Sequence, residues 1–404
     1  MVSVKTLSLQ IYYITSNKMK SNDILKTVAL CGLVSFFITG CGNSSKSSEN
    51  GFKELHPNAD GITFDDFRIV ELSKDVPLGT ISKITIEDSL IFFCSDDRLY
   101  SFNMDGSFNK VYGMQGRAGN EYINLSAYYV DKEDRQVCII DGTLGKLLYF
   151  DYDGEFIRKQ DLEALNSRLN FLYDVRLLPD GRLFVHNRIF NDSGLLFAIV
   201  DLKDGSVTDF KSVPFSTANT AEFCGEHMCN LFDGHLYYIL PFDPNIYVLN
   251  GNEGTVLREI PGVENVPTQK ELESITDYNF FTEFNMYNEG RFAGFSGVYE
   301  TDSLIFLNEL EQWNYYIIDK NSGVEKRYDY SLDDEVRTLP IKSIKATYKD
   351  WLIGAVSPMN LIQMCEDMPA NPSDPYLKKL IETAGKTTIE SNPVLLFYKI
   401  KSIR

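Results

Sequence analysis

The sequence predicts an all-β fold, a six-bladed β-propeller whose last blade is closed by an N-terminal strand and carries short helical insertions. Its main sign is a hairpin of two apolar strands around a glycine turn, which occurs five times. The hairpin glycines are Gly106, Gly154, Gly205, Gly254 and Gly323, separated by 48, 51, 49 and 69 residues. Units of short strands that recur every 45 to 50 residues or so are typical of propellers.

The N-terminal segment is typical of a secretory signal. Lys20 and Lys26 precede an uncharged, mainly apolar run over residues 27–40, which is shorter than the about 20 residues that a membrane-spanning helix needs. A signal that begins at Met19 has ordinary length, so we expect residues 1–18 to be an over-long start.

Residues 38–41, Ile-Thr-Gly-Cys, resemble the bacterial lipobox, which implies cleavage before Cys41 and attachment of the protein to a membrane through a lipid on this cysteine. Residues 41–62 are then a lipidated, flexible tether, and residues 63–404 form the propeller. Gly42 stands where an aspartate retains some lipoproteins at the inner membrane, which favours the outer membrane. Glu49 is the one acidic residue between Gly42 and Gly51, which favours the periplasmic face over the cell surface.

The composition excludes one class of partner. The chain has a formal net charge of -18, and residues 1–40 contain four lysines and one aspartate, so the remainder is more acidic still. Long-range repulsion from phosphate groups therefore argues against nucleic-acid binding.

Each hairpin supplies the two outer strands of a blade, and two further strand patterns precede it. The first five blades are expected at residues 81–112, 125–159, 172–213, 229–260 and 291–330. For a sixth blade, residues 343–346, 351–356 and 394–399 provide three strands, and the pattern at residues 67–72 supplies the fourth. Two short helices are predicted within residues 357–391, and another within residues 268–283.

Two segments resemble the six-bladed propeller lipoproteins of Bacteroidetes, which are relatives in architecture of NHL-repeat propellers. Residues 112–122, Tyr-Gly-Met-Gln-Gly-Arg-Ala-Gly-Asn-Glu-Tyr, are similar to the Gly-x-Gly-Pro-Gly-Glu-Tyr loop of that family, with Ala118 and Asn120 where Gly and Pro are usual. Residues 392–399, Asn-Pro-Val-Leu-Leu-Phe-Tyr-Lys, are similar to its closing strand. The resemblance covers nearly the whole chain after Cys41 and implies fold and envelope location rather than chemistry.

Propeller ligands usually bind where inner strands and inter-blade loops meet the central channel. On the loop 113–122, Arg117, Glu121 and Tyr122 are candidate ligand-binding residues. The alternative is an ordinary turn, in which Glu121 pairs with Arg117 and Tyr122 packs. Further candidates near other inner-strand ends are Arg176, Asn187, Arg188, Asn285 and Arg291.

Metal ligands are sparse. Cys224, His227, Cys229 and His235 are grouped in sequence, but their spacing fits no common zinc pattern, so a disulfide between Cys224 and Cys229 is the better interpretation. We expect no metal site from this group. Cys94 and Cys138 lie in apolar strands and are expected in the core. Calcium is the one cofactor that the sequence still allows, because oxygen atoms scattered along an acidic channel are the ligands that calcium prefers.

The sequence contains no Gly-x-Ser-x-Gly elbow, no His-Glu-x-x-His and no Gly-x4-Gly-Lys loop, which argues against common hydrolase, zincin and nucleotide chemistries. The favoured function is a binding or interaction module that captures a glycan, a peptide or a partner protein on its channel face. The alternatives are a metal-dependent lyase or lactonase-like hydrolase, and a structural envelope subunit.

Overall fold

The structure is a computed structural model that describes residues 62–163, 165, 169, 172–187, 195–212, 225, 227–273, 291–310, 314–329, 344–366, 368 and 375–403. Within these residues the strands form six four-stranded antiparallel sheets arranged in a ring, which confirms the six-bladed propeller. The residues 1–61, including Cys41 and the tether, lie outside the described part of the chain.

Each blade runs from an inner strand to an outer strand. Blade 1 consists of β2 (Ile81–Glu87), β3 (Leu90–Ser95), β4 (Arg98–Asn103) and β5 (Phe108–Tyr112). Blade 2 consists of β6 (Ala127–Asp131), β7 (Gln136–Asp141), β8 (Lys146–Asp151) and β9 (Phe156–Asp161). Blade 3 consists of β10 (Leu172–Leu177), β11 (Arg182–Asn187), β12 (Leu195–Asp201) and β13 (Val207–Ser212).

The same order holds in the second half of the ring. Blade 4 consists of β14 (Cys229–Phe232), β15 (His235–Ile239), β16 (Asn245–Asn250) and β17 (Glu253–Glu259). Blade 5 consists of β18 (Phe295–Glu300), β19 (Leu304–Glu309), β20 (Asn314–Asp319) and β21 (Glu325–Asp329). Blade 6 consists of β22 (Ile344–Tyr348), β23 (Trp351–Val356), β24 (Val394–Ile403) and β1 (Ile62–Glu71).

The N-terminal strand closes the ring as the sequence predicts. β1 pairs antiparallel with β24 along its whole length, from Ile62 opposite Ile403 to Glu71 opposite Val394. This pairing covers an edge that β24 would otherwise expose to other chains. Beside it, the Asn392 side chain accepts a hydrogen bond from the Leu78 amide and donates to the carbonyl oxygens of Ser73 and Val76.

Because successive strands of a blade are antiparallel, all six inner strands begin at the same end of the ring. We call that end the upper rim and the end where the inner strands finish the lower rim. The inter-blade connections and the turns between second and third strands lie on the upper rim. The turns between first and second strands and the repeated glycine hairpins lie on the lower rim.

The hairpin glycines have the backbone that such turns require. At Gly106, φ is +87°, and a Cβ there would clash with the Glu71 carbonyl group. The fourth copy corrects the sequence prediction: Gly254 lies inside β17 opposite Leu249, and the turn uses Gly251 with φ of +62°. Gly254 is required for another reason, because the Tyr238 hydroxyl occupies the space a Cβ would take.

The core lies between neighbouring blades and contains most of the aromatic residues in the described part of the chain. Phe184 and Phe197 of blade 3 lie 5.0 Å apart, and the Phe197 ring lies 5.6 Å from that of Tyr238 in blade 4. All three are fully buried. Burial of such rings between blades is the main stabilising contribution of this architecture.

Three helices are described: α1 (Gln269–Glu273), α2 (Pro358–Glu366) and α3 (Pro375–Ala384). Helices α2 and α3 lie between β23 and β24 and are the two helices predicted within residues 357–391. Tyr376 of α3 stacks on Phe67 of β1, with ring centroids 4.3 Å apart. The remainder of the predicted helix at 268–283 lies outside the described residues. Among the described helices, none has the length and apolar character needed to cross a membrane.

Candidate functional site

The candidate site is a group of polar side chains at the upper end of the channel, to which all six blades contribute. It arises because the inner strands carry charged and aromatic residues where a wholly structural strand would carry apolar ones; Arg176 and Tyr299 lie in the second halves of β10 and β18. We call this group the channel belt, and its members are Lys83, Ser126, Tyr128, Tyr173, Asp174, Arg176, His186, His227, Tyr299 and Lys345.

Lys83 links blades 1, 2 and 3. Its ammonium donates a hydrogen bond to the carbonyl oxygen of Ser126 and lies 5.3 Å from the ring centroid of Tyr173. The Tyr128 hydroxyl contacts the carbonyl oxygen of Lys83 in return. Lys83 also lies in a β-bulge of β2, with a φ of +53° that is unusual for a residue with a side chain. Such strain persists where the surroundings impose it, which is common at functional sites.

Asp174 and Arg176 form an ion pair within β10. The Arg176 guanidinium donates to Oδ1 of Asp174 at 2.6 Å and reaches the Cys229 carbonyl oxygen of blade 4 at 3.4 Å. The Asp174 side chain is 6% exposed, whereas that of Arg176 is 24% exposed, so the cation is the more accessible partner. His186 of β11 lies opposite Asp174 in the strand register and is fully buried.

His227 and Tyr299 complete the belt on the side of blades 4 to 6. Their ring centroids lie 5.2 Å apart, and the Tyr299 hydroxyl donates to the Ile344 carbonyl oxygen at 2.8 Å. Burial lowers the pKa of His227 well below its ordinary value, and the positive charges of Arg176 and Lys345 lower it further. His227 is therefore a neutral imidazole in a positively charged surrounding.

Among the described residues, the channel belt contains the cations Lys83, Arg176 and Lys345 and the carboxylate of Asp174. At the lower rim, the inner strands β2, β6 and β18 end in Glu87, Asp131 and Glu300. Burial raises the pKa of Glu87 and of Glu300, although Lys132 acts in the opposite direction on Glu87 and Lys320 on Glu300.

The glycine-rich loop 113–122 lies on the upper rim, outside the belt. Glu121 accepts a hydrogen bond from the Ala118 amide at 2.7 Å, while its own carbonyl oxygen accepts one from Lys146. Tyr122 is fully buried and donates to the Asp97 carbonyl oxygen at 3.1 Å. These contacts hold the loop to the propeller, and the Tyr122 ring presents no face to a ligand.

Arg117 is exposed at the tip of the same loop. The Glu121 carboxylate accepts a hydrogen bond from the backbone amide of Ala118. Gly116 is required next to it, because a Cβ at residue 116 would collide with that carboxylate. A ligand-binding role for Arg117 and Glu121 stays a prediction.

The other predicted residues are scattered. Arg176 lies in the belt, and Asn187, at the end of β11, is buried with its amide donating to the Leu195 carbonyl oxygen at 3.3 Å. Arg291 pairs with Glu271 of α1 at 2.8 Å. Arg188 and Asn285 lie outside the described residues.

The structure separates the two histidines considered as metal ligands. His227 precedes β14 at the upper rim, whereas His235 begins β15 after the turn at the lower rim. No group of three His, Cys, Asp or Glu residues able to hold a metal occurs in the described part of the chain. Cys229 is a buried free thiol, and Cys224, its possible disulfide partner in the sequence, lies outside the described residues.

The remaining cysteines agree with the prediction that they are core residues. Cys94, Cys138 and Cys229 are buried, and burial raises the pKa of each thiol to about 12. Such thiols remain protonated and behave as small apolar side chains.

Of the channel belt, the ligand-binding residues predicted from the sequence include Arg176 alone; the members not predicted for that role are Lys83, Ser126, Tyr128, Tyr173, Asp174, His186, His227, Tyr299 and Lys345. A signal was present, since Lys83, Asp174 and Lys345 are charges inside segments that are otherwise predicted as buried inner strands. A charge within a central strand needs a partner or a function. Arg176 was predicted for another reason, because it lies near the end of an inner strand.

Comparison with known proteins agrees with the fold. A model of the family DUF4934, described as a domain of unknown function, matches residues 61–399. A crystal structure from Bacteroides fragilis NCTC 9343, described as a "putative exported protein", has a TM-score of 0.66 at 20% identity and covers 87% of this chain and 98% of that one. A DUF4221 family member from Bacteroides vulgatus has a TM-score of 0.52 at 10% identity, covering 85% of this chain and 100% of that one.

At these identities the likeness shows the fold alone. Virginiamycin B lyase from Staphylococcus aureus matches with a TM-score of 0.41 at 13% identity, covering 72% of this chain and 81% of that one. A TM-score this low carries no argument about activity. Comparison with curated proteins gives no match.

Proposed function

The chain belongs to the DUF4934 family, a domain of unknown function, and from this premise we propose that it is an envelope lipoprotein that binds a ligand at the upper end of its channel. The ligand classes that suit the site are a glycan, a peptide or a segment of a partner protein. Membrane attachment through Cys41, at the periplasmic face of the outer membrane, is part of the proposal.

One observation carries the binding role: polar and aromatic side chains from six blades meet at one end of the channel. Lys83, Asp174, Arg176 and Lys345 lie in inner strands, where burial of a charge has a desolvation cost, and charges there are unusual in strands that serve packing alone. A few convergent polar groups in an otherwise apolar concavity are the usual composition of a ligand site. Tyr173, which is half-buried beside Lys83, adds an aromatic ring at the same end.

The envelope location rests on the signal-like segment and the lipobox-like residues 38–41. It is supported by the similarity in fold to a Bacteroides fragilis protein that is itself described as exported.

Thermal-shift measurements on the full chain in detergent test the binding role. The panel contains neutral and acidic oligosaccharides, short peptides, calcium and zinc. A bound ligand at about 100 times its Kd stabilises the folded state by about 2.7 kcal/mol, which raises Tm by several degrees. We expect a saccharide or peptide to do so.

The same panel separates the alternatives. A rise with calcium or zinc that EDTA reverses would favour the metal-dependent lyase or hydrolase. No response to the panel, together with co-purification of other envelope proteins, would favour the structural subunit and contradict the binding role.

A further inference from the structure

We propose that an exposed apolar surface beside loop 113–122 is a docking site for a partner protein, which binds through a short apolar segment that carries an Asp or Glu residue for Arg117. We call this surface the loop patch, and its members are Met114, Ile123 and Leu144. It lies where blade 1 connects to blade 2, outside the channel belt. Binding at the loop patch therefore does not depend on a channel ligand, and each site has its own test.

Exposed apolar side chains are concentrated in this part of the ring. Eleven large apolar side chains of the described residues are exposed, and six of them belong to residues 111–157, which span blades 1 and 2. Met114 is 69% exposed, Leu144 43% and Ile123 36%. Single exposed apolar residues are ordinary in soluble proteins, whereas adjacent ones usually mark an interaction site.

Hydrogen bonds place the three residues of the loop patch side by side. The Met114 carbonyl oxygen accepts from the Tyr122 amide at 3.1 Å, which sets Met114 beside the segment that continues to Ile123. The two oxygens of the Asp141 carboxylate accept from the amides of Ile123 and Leu144, at 2.7 and 3.0 Å. Asp141 is fully buried, so one fixed carboxylate joins these two segments.

Further contacts hold the loop patch in one shape before a partner binds. The Tyr122 hydroxyl donates to the Asp97 carbonyl oxygen at 3.1 Å, and the buried Lys146 ammonium donates to the Glu121 carbonyl oxygen. The propeller thus supports an apolar surface that it does not bury. A surface that is already ordered loses little conformational entropy on binding, which favours association.

The charge beside the loop patch selects the chemistry of the partner. Arg117 follows Met114 by three residues, so their Cα atoms lie within about 11 Å of each other. The acid of the same loop, Glu121, directs its carboxylate to the Ala118 amide at 2.7 Å. Within the described part of the chain, Arg117 is exposed and makes no hydrogen bond or ion pair. An Asp or Glu residue of a partner complements this cation.

The size and depth of the loop patch distinguish a protein segment from other occupants. A stable dimer buries about 800 Å² on each partner, which three partly exposed side chains do not supply. Insertion into a bilayer buries apolar side chains about 5–10 Å deep, whereas more than half of Ile123 and of Leu144 is already covered by the protein. A segment of a few apolar residues with one carboxylate matches both the area and the charge.

Photocrosslinking of the full chain, in the cells that produce it, tests the docking site. Met114 is replaced by the photoreactive amino acid benzoylphenylalanine, and the same replacement of Val256, which is 56% exposed on β17, is the matched control. We expect irradiation to join position 114 to a second protein, through a peptide in which an Asp or Glu residue lies within a few residues of apolar side chains. Mass spectrometry of the product identifies that peptide, and position 256 should not give it.

Variants of Arg117 test the charge contact in the same cells. Arg117→Glu places a like charge opposite the carboxylate of the partner and should reduce the crosslinked product about tenfold or more. Arg117→Lys keeps the charge and should reduce it less than Arg117→Glu does. Lys203→Glu reverses an exposed positive charge in blade 3 and should change the yield less than about twofold. Equal Tm values of the purified variants show that unfolding is not the cause.

Every other outcome would overturn the docking site or its occupant. A product that joins two copies of this chain would assign the loop patch to a dimer, and a lipid adduct alone would assign it to a bilayer. Absence of a product at position 114, or the same product at positions 114 and 256, would remove the site. A product whose yield is equal in the parent protein and in Arg117→Glu would refute the carboxylate contact.

Discussion

At the scale of single residues, the channel belt places ionisable groups where burial makes them costly, and each is accommodated by a specific contact. Asp174 is nearly buried and paired with Arg176 at 2.6 Å. Removal of one partner of such a pair costs more than the pair contributes, because the other charge is left without compensation. The Arg176→Gln single variant should therefore be less stable than the Asp174→Asn, Arg176→Gln double variant, as urea unfolding would measure.

His227 gives a second prediction at this scale. Burial and nearby cations lower its pKa in the folded state. As pH falls, the imidazole is therefore protonated in the unfolded chain before it is protonated in the folded one. The sign follows from linkage: the free energy of unfolding falls as pH decreases below the unfolded value of about 6.5. Replacement of His227 by Gln should reduce the loss of stability between pH 7.5 and pH 5.0.

Urea unfolding at the two pH values measures this effect. His235→Gln, at an exposed histidine of the lower rim, is the matched replacement outside the channel belt. An equal effect of both replacements would contradict the assignment to His227.

The difference between predicted and observed site residues also belongs to this scale. Arg117, Glu121 and Tyr122 were conspicuous because glycines surround them, but Tyr122 and Glu121 contact the protein itself. Lys83 and Lys345 lie 262 positions apart and are brought together only by ring closure. No local pattern contains that information, which is why Arg176 alone of the belt cations was predicted.

At the scale of elements, Asn392 holds the closing blade. Its side chain makes three hydrogen bonds of 2.7 to 2.9 Å to Leu78, Ser73 and Val76, all in the segment that connects β1 to β2. Asn392→Ala leaves these backbone groups without a partner, and we expect the free energy of unfolding to fall by about 2–3 kcal/mol. Asn124→Ala, at an exposed residue with one 3.2 Å hydrogen bond, is the control and should change stability by less than about 0.5 kcal/mol.

Helix α1 begins with a capping box, which gives a prediction about pKa. The Glu271 carboxylate accepts hydrogen bonds from the Thr268 amide and from Arg291, and these contacts lower its pKa to about 2. Arg291→Gln should move the pKa of Glu271 upward, toward its ordinary value of 4.5. Carbon-detected NMR titration of the carboxylate would measure the shift, and an unchanged pKa would show that the ion pair does not form in solution.

The direction of the lowered pKa determines how the contribution of Glu271 to stability depends on pH. Because the folded-state pKa is the lower one, the stabilising contribution is fully present above about pH 4.5 and is lost as pH falls toward about 2.

At the scale of the whole molecule, the fold could be predicted from the sequence because each blade repeats one local pattern. The bounds of strands such as Trp351–Val356 were predicted to the residue. The turn of the fourth hairpin was not, since Gly251 and Gly254 are both compatible with a turn in sequence. Only packing against Tyr238 explains why the second glycine belongs to β17.

The envelope proposal makes a prediction at this scale. In cells, Cys41→Ser should prevent lipidation and release the protein from the membrane fraction, while the unfolding transition of the propeller stays the same. Fractionation followed by immunoblotting measures the first effect. Replacement of Cys138, which is buried in blade 2, by Ala is the control and should leave the protein in the membrane fraction.

The course of β1 has a consequence for how the molecule would be presented to its surroundings. Since β24 runs from the upper to the lower rim and β1 is antiparallel to it, the chain enters the propeller at Ile62 on the lower rim. The segment that precedes Ile62 therefore joins the propeller at its lower rim, at the end opposite the inter-blade connections.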